Sequence, residues 1–348
     1  MKKWLVLLAV LLVAAVLGLW LIGRDNAEQP ATPATPQTPD VLETPETLTT
    51  APFTGMQEDG PYDRRAVMAV INNHPAARPQ TGLVEADMVF EIIAEHNITR
   101  FLALYQSQFP VAIGPVRSAR DYFVELATAY DAFFVAHGYS PEAQQLLESG
   151  VIDHVNGMQY DGTLFKRSVD RVAPHNSYIS YDNVELAMQM TDASPNYRIK
   201  APYAFSAAGS NDKLGEQAAF IEVTYGGDPL FASAYTYDAE TQLYGRSSGG
   251  VDTVDKDTSQ RIEVANVLVM EMAHETIDAK GRQEIDLVSG GQALLFREGS
   301  VQKINWRAED GMLVPVGNDG PVELMQGKTW VHIIPELPGI DQAVQYSP

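Results

Sequence analysis

With 348 residues, 45% of them hydrophobic, the chain can bury a sizeable core and is long enough for about two domains at ~150 residues each. Its formal net charge of −21 excludes nucleic acid as a partner, and any cluster of arginines stands out against it. The absence of cysteine excludes disulfides, a thiolate nucleophile and a cysteine-based zinc site.

Lys2 and Lys3 precede an uncharged apolar run over residues 4–22. At 1.5 Å per residue this run spans ~28 Å, enough for a bilayer core, and the lysines keep the N-terminus inside. Residues 1–24 therefore read as an uncleaved signal anchor, a single transmembrane helix that places the rest of the chain outside the membrane. Residues 25–55 follow as a Pro/Thr-rich linker with little to bury, an extended spacer from the bilayer.

The expected fold class is α+β or α/β: an N-terminal layered α/β domain over 56–202, a mostly antiparallel β domain over 203–337, and a tail over 338–348. In the first domain, strands are expected over 66–73, 89–95, 100–107 and 132–138, with a turn at His96-Asn97. Helices are expected over 119–130, over 141–150 with Pro141 at the first position, and after Asp182 or Asn183. Alternation of the two element types implies a layered α/β arrangement. From residue 203 on, short β-rich runs separated by turn signals such as Glu298-Gly299 imply antiparallel strands.

Polar residues gather where these strands end. Ser118 reads as a helix N-cap with Asp121 as a short-acid capping box, so that Arg117 and Arg120 flank a helix start able to seat an anion. Arg78, Arg100 and Arg171 are candidates to converge on the same site, together with Asn73 and Asn176. His175 and His137 are the candidate bases, with Glu91 and Asp121 as candidate acids or orienting groups. Glu91 and Glu95 are expected on one strand face. Ser118 lacks the Gly-x-Ser-x-Gly elbow of a nucleophile. The seven histidines contain no i,i+4 pair and no nucleotide-binding glycine pattern is present, so no metal and no cofactor are expected.

Several stretches carry a resemblance. Ile71-Asn72-Asn73-His74-Pro75, Ala77-Arg78-Pro79-Gln80-Thr81-Gly82-Leu83, Gly114-Pro115-Val116-Arg117-Ser118-Ala119-Arg120-Asp121, Ala173-Pro174-His175-Asn176 and Gly327-Lys328-Thr329-Trp330 are similar to the YerB-like family of bacterial envelope proteins. That resemblance implies a two-domain extracytoplasmic protein, commonly lipid-anchored. Here no cysteine is available for lipid attachment, and the apolar N-terminus takes that place. The expected function is binding of an anionic, phosphate- or carboxylate-bearing envelope ligand at the arginines. The alternatives are an envelope transferase or hydrolase acting on a phosphorylated lipid or glycan precursor, and a scaffold for an envelope protein partner.

Overall fold

The structure, a computed structural model, describes residues 50–57, 61–210, 215–226, 228–318 and 320–348. The expected anchor and residues 25–49 of the linker lie outside the described residues. No helix among the described residues is long and apolar enough to cross a membrane.

Strand β1 (Val67–Asn72) is followed by the hairpin of β2 (Met88–Glu95) and β3 (Ile98–Tyr105), closed at His96, whose φ is 51°. Helix α1 (Asp121–Ala129), β4 (Phe133–Ala136), helix α2 (Pro141–Glu148), β5 (His154–Asn156) and helix α3 (Tyr181–Met190) complete the first half. The Ser140 hydroxyl caps α2 ahead of Pro141, as that sequence predicts. The cap of α3 is Ser180 rather than Asp182 or Asn183. The second half contributes β6 (Phe220–Val223), β7 (Ser233–Asp238), β8 (Leu243–Ser248), β9 (Asn266–Met272), β10 (Gly291–Arg297), β11 (Ser300–Glu309), β12 (Met312–Gly317), β13 (Thr329–Pro335) and β14 (Val344–Ser347).

Strands of both halves share one sheet. Its order runs β12-β11-β10-β9-β13-β2-β3-β1-β4-β5, and β13 lies parallel to both β9 and β2. The expected α/β and β regions thus share a sheet rather than each closing one of its own. The hydrogen bonds of β2 are completed by a strand more than two hundred residues later, a pairing that local periodicity does not encode. Most strands of the second half are antiparallel, while β1, β4 and β5 run parallel to one another. A second sheet, built on β8-β7-β6-β14, packs on one face of the first.

Strand alternation then sorts the side chains. Val89, Ile93, Phe101 and Trp330 face the second sheet, whereas Phe90, Ile92, Leu102 and Leu104 pack with Tyr122, Phe123 and Leu126 of α1. Both ends of the body reach further than the sequence indicates. Phe53, assigned to the linker, is buried against Tyr130, Tyr197 and Tyr203. Residues assigned to the tail form β14, which pairs with β6.

Candidate functional site

The segment Gly114 to Ala119 crosses the ends of β1 and β4 in extended form. Asn72 N–H donates to Pro115 O, Arg117 N–H to Val70 O, and His137 N–H to Arg117 O. Tied down in this way, the chain cannot turn helical before Asp121. Arg120 occupies the N-cap position without any side-chain cap, and the Ser118 hydroxyl instead donates to His137 O at 3.2 Å. The expected capping box is therefore absent.

The arginines separate into two groups. Arg100 and Arg120 both bind the Glu95 carboxylate, Arg100 at 2.9 Å, and Arg100 also donates to Ser118 O. Burial works against the Glu95 carboxylate, but Arg100, Arg120 and the nearby charge of Arg117 hold it below the ordinary range. The two arginines are thus internal struts. Glu95 reaches them because the register of β2 against β3 shifts between Ile93 and Glu95, a bulge that removes it from the face Glu91 occupies.

Arg117 differs from both. Its guanidinium forms no hydrogen bond or ion pair among the described residues, and its Nε is buried without a partner. Around it stand groups that donate. His74 and His175 stack at 4.5 Å, and each has its Nδ1 occupied: His74 accepts from Ala76 N–H at 3.1 Å, His175 from the Asn72 amide at 2.8 Å. The orientation of that amide follows from Asn72 Oδ1, which accepts from His74 N–H. Both neutral rings must then carry their proton on Nε2, where no partner is found among the described residues. Burial first, then Arg78 and Arg117, lowers the pKa of His74; burial, His74, Arg117 and Arg171 lower that of His175.

His137 ends β4 and is fixed from both sides. Its Nε2 accepts from Arg167 at 3.0 Å, so its Nδ1–H points to the Ser177 hydroxyl at 2.7 Å. Burial and Arg167 push its pKa down. Gly157 is required beside it, because a Cβ there would lie 2.1 Å from the ring. Arg167 is held by Asp161 at 2.9 Å and by Asn176 Oδ1 at 3.2 Å, so Asn176 orients an arginine rather than facing ligand. Arg171 spends two donors on Tyr178 and on Pro79 O, and Arg78 donates to Asn73 O and Leu230 O. Neither has a carboxylate partner among the described residues. The resulting surface offers the cations Arg117, Arg78 and Arg171 and two Nε2–H donors, in a chain with a large negative net charge.

Three sequence candidates fall elsewhere. Glu91 is fully buried, and its partner is an arginine of the second half: Arg246 donates to Oε2 at 3.0 Å. Asn73, Thr99, Ser233 and the Trp330 indole also donate to this carboxylate. Burial opposes its ionisation and Arg246 overcomes that, keeping it below the ordinary range. Asn73 is consequently a core residue. Asp121 sits among acids, with burial and then Glu142 and Glu284 raising its pKa, and it is no partner of the histidines. Arg246 and His332 escaped the sequence reading. His332 is a polar residue in a mostly apolar strand that the pairing of β2 with β13 sets beside Glu91, whereas Arg246 lies among serines in β8 and reaches Glu91 only because the second sheet packs on the first.

A family model described as a protein of unknown function (DUF3048), N-terminal domain, matches residues 53–194, and the DUF3048 C-terminal domain matches 221–331. The chain is 43% identical over 292 residues to a Bacillus subtilis (strain 168) protein named "Putative lipoprotein YerB", covering 82% of this chain and 86% of that one. The crystal structure of YerB from Bacillus subtilis superposes with a TM-score of 0.79 at 41% identity, covering 86% of this chain and 99% of that one.

Proposed function

The chain belongs to the family defined by these two domains of unknown function, and on that premise we propose that it is a membrane-anchored protein of the cell envelope that binds an oxyanion-bearing envelope ligand at Arg117. The observation that carries the reading is the unpaired Arg117 guanidinium behind the stacked pair His74–His175. Arg78 and Arg171 add charge around it, and phosphate or carboxylate is the group such planar donors suit. The anchor rests on the apolar run over residues 4–22 and on the relative named a lipoprotein. Without cysteine, a single transmembrane helix replaces a lipid.

Binding is favoured over catalysis by what surrounds the histidines. The Nδ1 of His175 meets an amide and that of His137 a hydroxyl, so neither has a carboxylate to orient it as a general base. The full chain, extracted from its own membrane and examined by native mass spectrometry, should carry a phosphorylated or carboxylated lipid or glycan. Loss of that adduct in Arg117→Ala supports the reading; an adduct equally abundant in Arg117→Ala contradicts it.

A further inference from the structure

Beside the stacked histidines a cavity of about 320 Å³ opens between the segment that carries His74 and the end of β8. Its apolar lining is Pro75, Pro79, Leu230, Val251 and Val254, and Arg78, Arg246 and Ser248 contribute polar groups. One of these groups is unsatisfied. Ser248 is 5% exposed and its hydroxyl has no hydrogen-bond partner among the described residues, whereas the buried Arg246 is engaged by Glu91, Ser233, Thr253 and Tyr235. A buried donor left unpaired costs free energy, and at the wall of a cavity a ligand can relieve that cost.

The cavity and the oxyanion site share their border. Pro75 follows His74 directly, and the Arg78 guanidinium lies 5.8 Å from the centre of the Phe231 ring, against which His74 also packs. At the mouth, Leu230 is 52% and Val251 70% exposed, apolar surface left uncovered next to cations. Gly249 keeps the mouth clear, since a Cβ there would come within 3.2 Å of Leu230 O. The charge of Arg246 is already balanced by Glu91, so this arginine adds no net charge to the floor of the cavity.

We propose that this cavity is the second half of the binding site, a subsite for an uncharged, ring-sized group with acceptor oxygens that is joined to the oxyanion held at Arg117. The ligand class is then a sugar phosphate or a similarly built phosphate ester. Its volume is at the lower end of small-molecule sites, ~300 Å³, which suits one ring. The inference rests on the oxyanion reading above and adds the identity of the group next to the charge.

The test compares inorganic phosphate with α-D-glucose 1-phosphate on the full chain in detergent by calorimetry. The ester should bind more tightly by about tenfold, the worth of one charge-assisted hydrogen bond made on burial. Ser248→Ala and Leu230→Trp should bring the ratio of the two affinities towards one, with urea midpoints confirming that both variants fold. The Ser248 hydroxyl has no partner to lose among the described residues, so its removal spares the core. Equal affinity of the unmodified chain for the two probes, or a ratio unmoved by both variants, overturns the subsite while phosphate binding keeps the oxyanion reading. Failure of both probes to bind overturns both readings.

Discussion

Arg117 and Arg120 stand three residues apart, and the bulge that turns Glu95 out of its face pairs its carboxylate with Arg120, while Arg117 feels that charge without a hydrogen bond or ion pair to a carboxylate among the described residues. The histidines follow the same logic of neighbours. His74 and His175 are held neutral by burial and by surrounding cations, and an incoming oxyanion reverses the second influence. Their pKa values rise on binding, so protons are taken up and affinity increases as pH falls through and below the ordinary histidine value of about 6.5. Sulfate, which does not itself titrate in this range, should bind more tightly at about pH 5.5 than at about pH 7.5, by up to roughly tenfold per pH unit for each proton taken up. Calorimetry showing the same sulfate affinity at both values would contradict this.

Elements were legible in the sequence wherever one period and one cap decided them. β1, the β2–β3 hairpin, α1 and α2 lie within a few residues of their expected bounds because their apolar pattern and turn residues agree. Contacts between elements were not legible. The extended passage of residues 116–119 across two strand ends displaced the expected N-cap, and the bulge in β2 overrode the period of two that put Glu91 and Glu95 together. The loop after Phe165–Arg167 shows the same division. Sequence alone flagged Arg171, His175 and Asn176, but Asn176 proved to position Arg167, while His74 gained its place only by stacking on His175. Arg246 is the instructive omission. It alternates correctly in β8, and nothing local distinguishes a buried arginine from a solvated one.

The molecule as a whole is closed by that arginine. Glu91 of β2 and Arg246 of β8 join the two packed sheets, with the guanidinium 4.3 Å from the Trp330 ring centre and His332 bridging the Tyr225 and Tyr235 hydroxyls at 2.7 Å each. Burial holds the His332 pKa down to about 4, so the bridge is made by a neutral imidazole. Glu91→Gln leaves the Arg246 charge buried and uncompensated, and the change should destabilise the fold by about 3–5 kcal/mol. Urea unfolding at neutral pH measures this, and a loss below about 1 kcal/mol would show that the pair does not hold the sheets together. Two sequence halves matched by separate domain models thus share one core, and the proposed oxyanion surface lies where the strand ends of the first half meet the β7–β8 region of the second. The most direct test of that surface is phosphate binding by the full chain in detergent, compared among the unmodified protein, Arg117→Ala and Arg120→Ala. Arg117→Ala should lose roughly 10- to 100-fold in affinity with its melting temperature unchanged, whereas Arg120→Ala should lower the melting temperature by freeing one side of Glu95. Undiminished phosphate affinity in a folded Arg117→Ala variant would contradict the account.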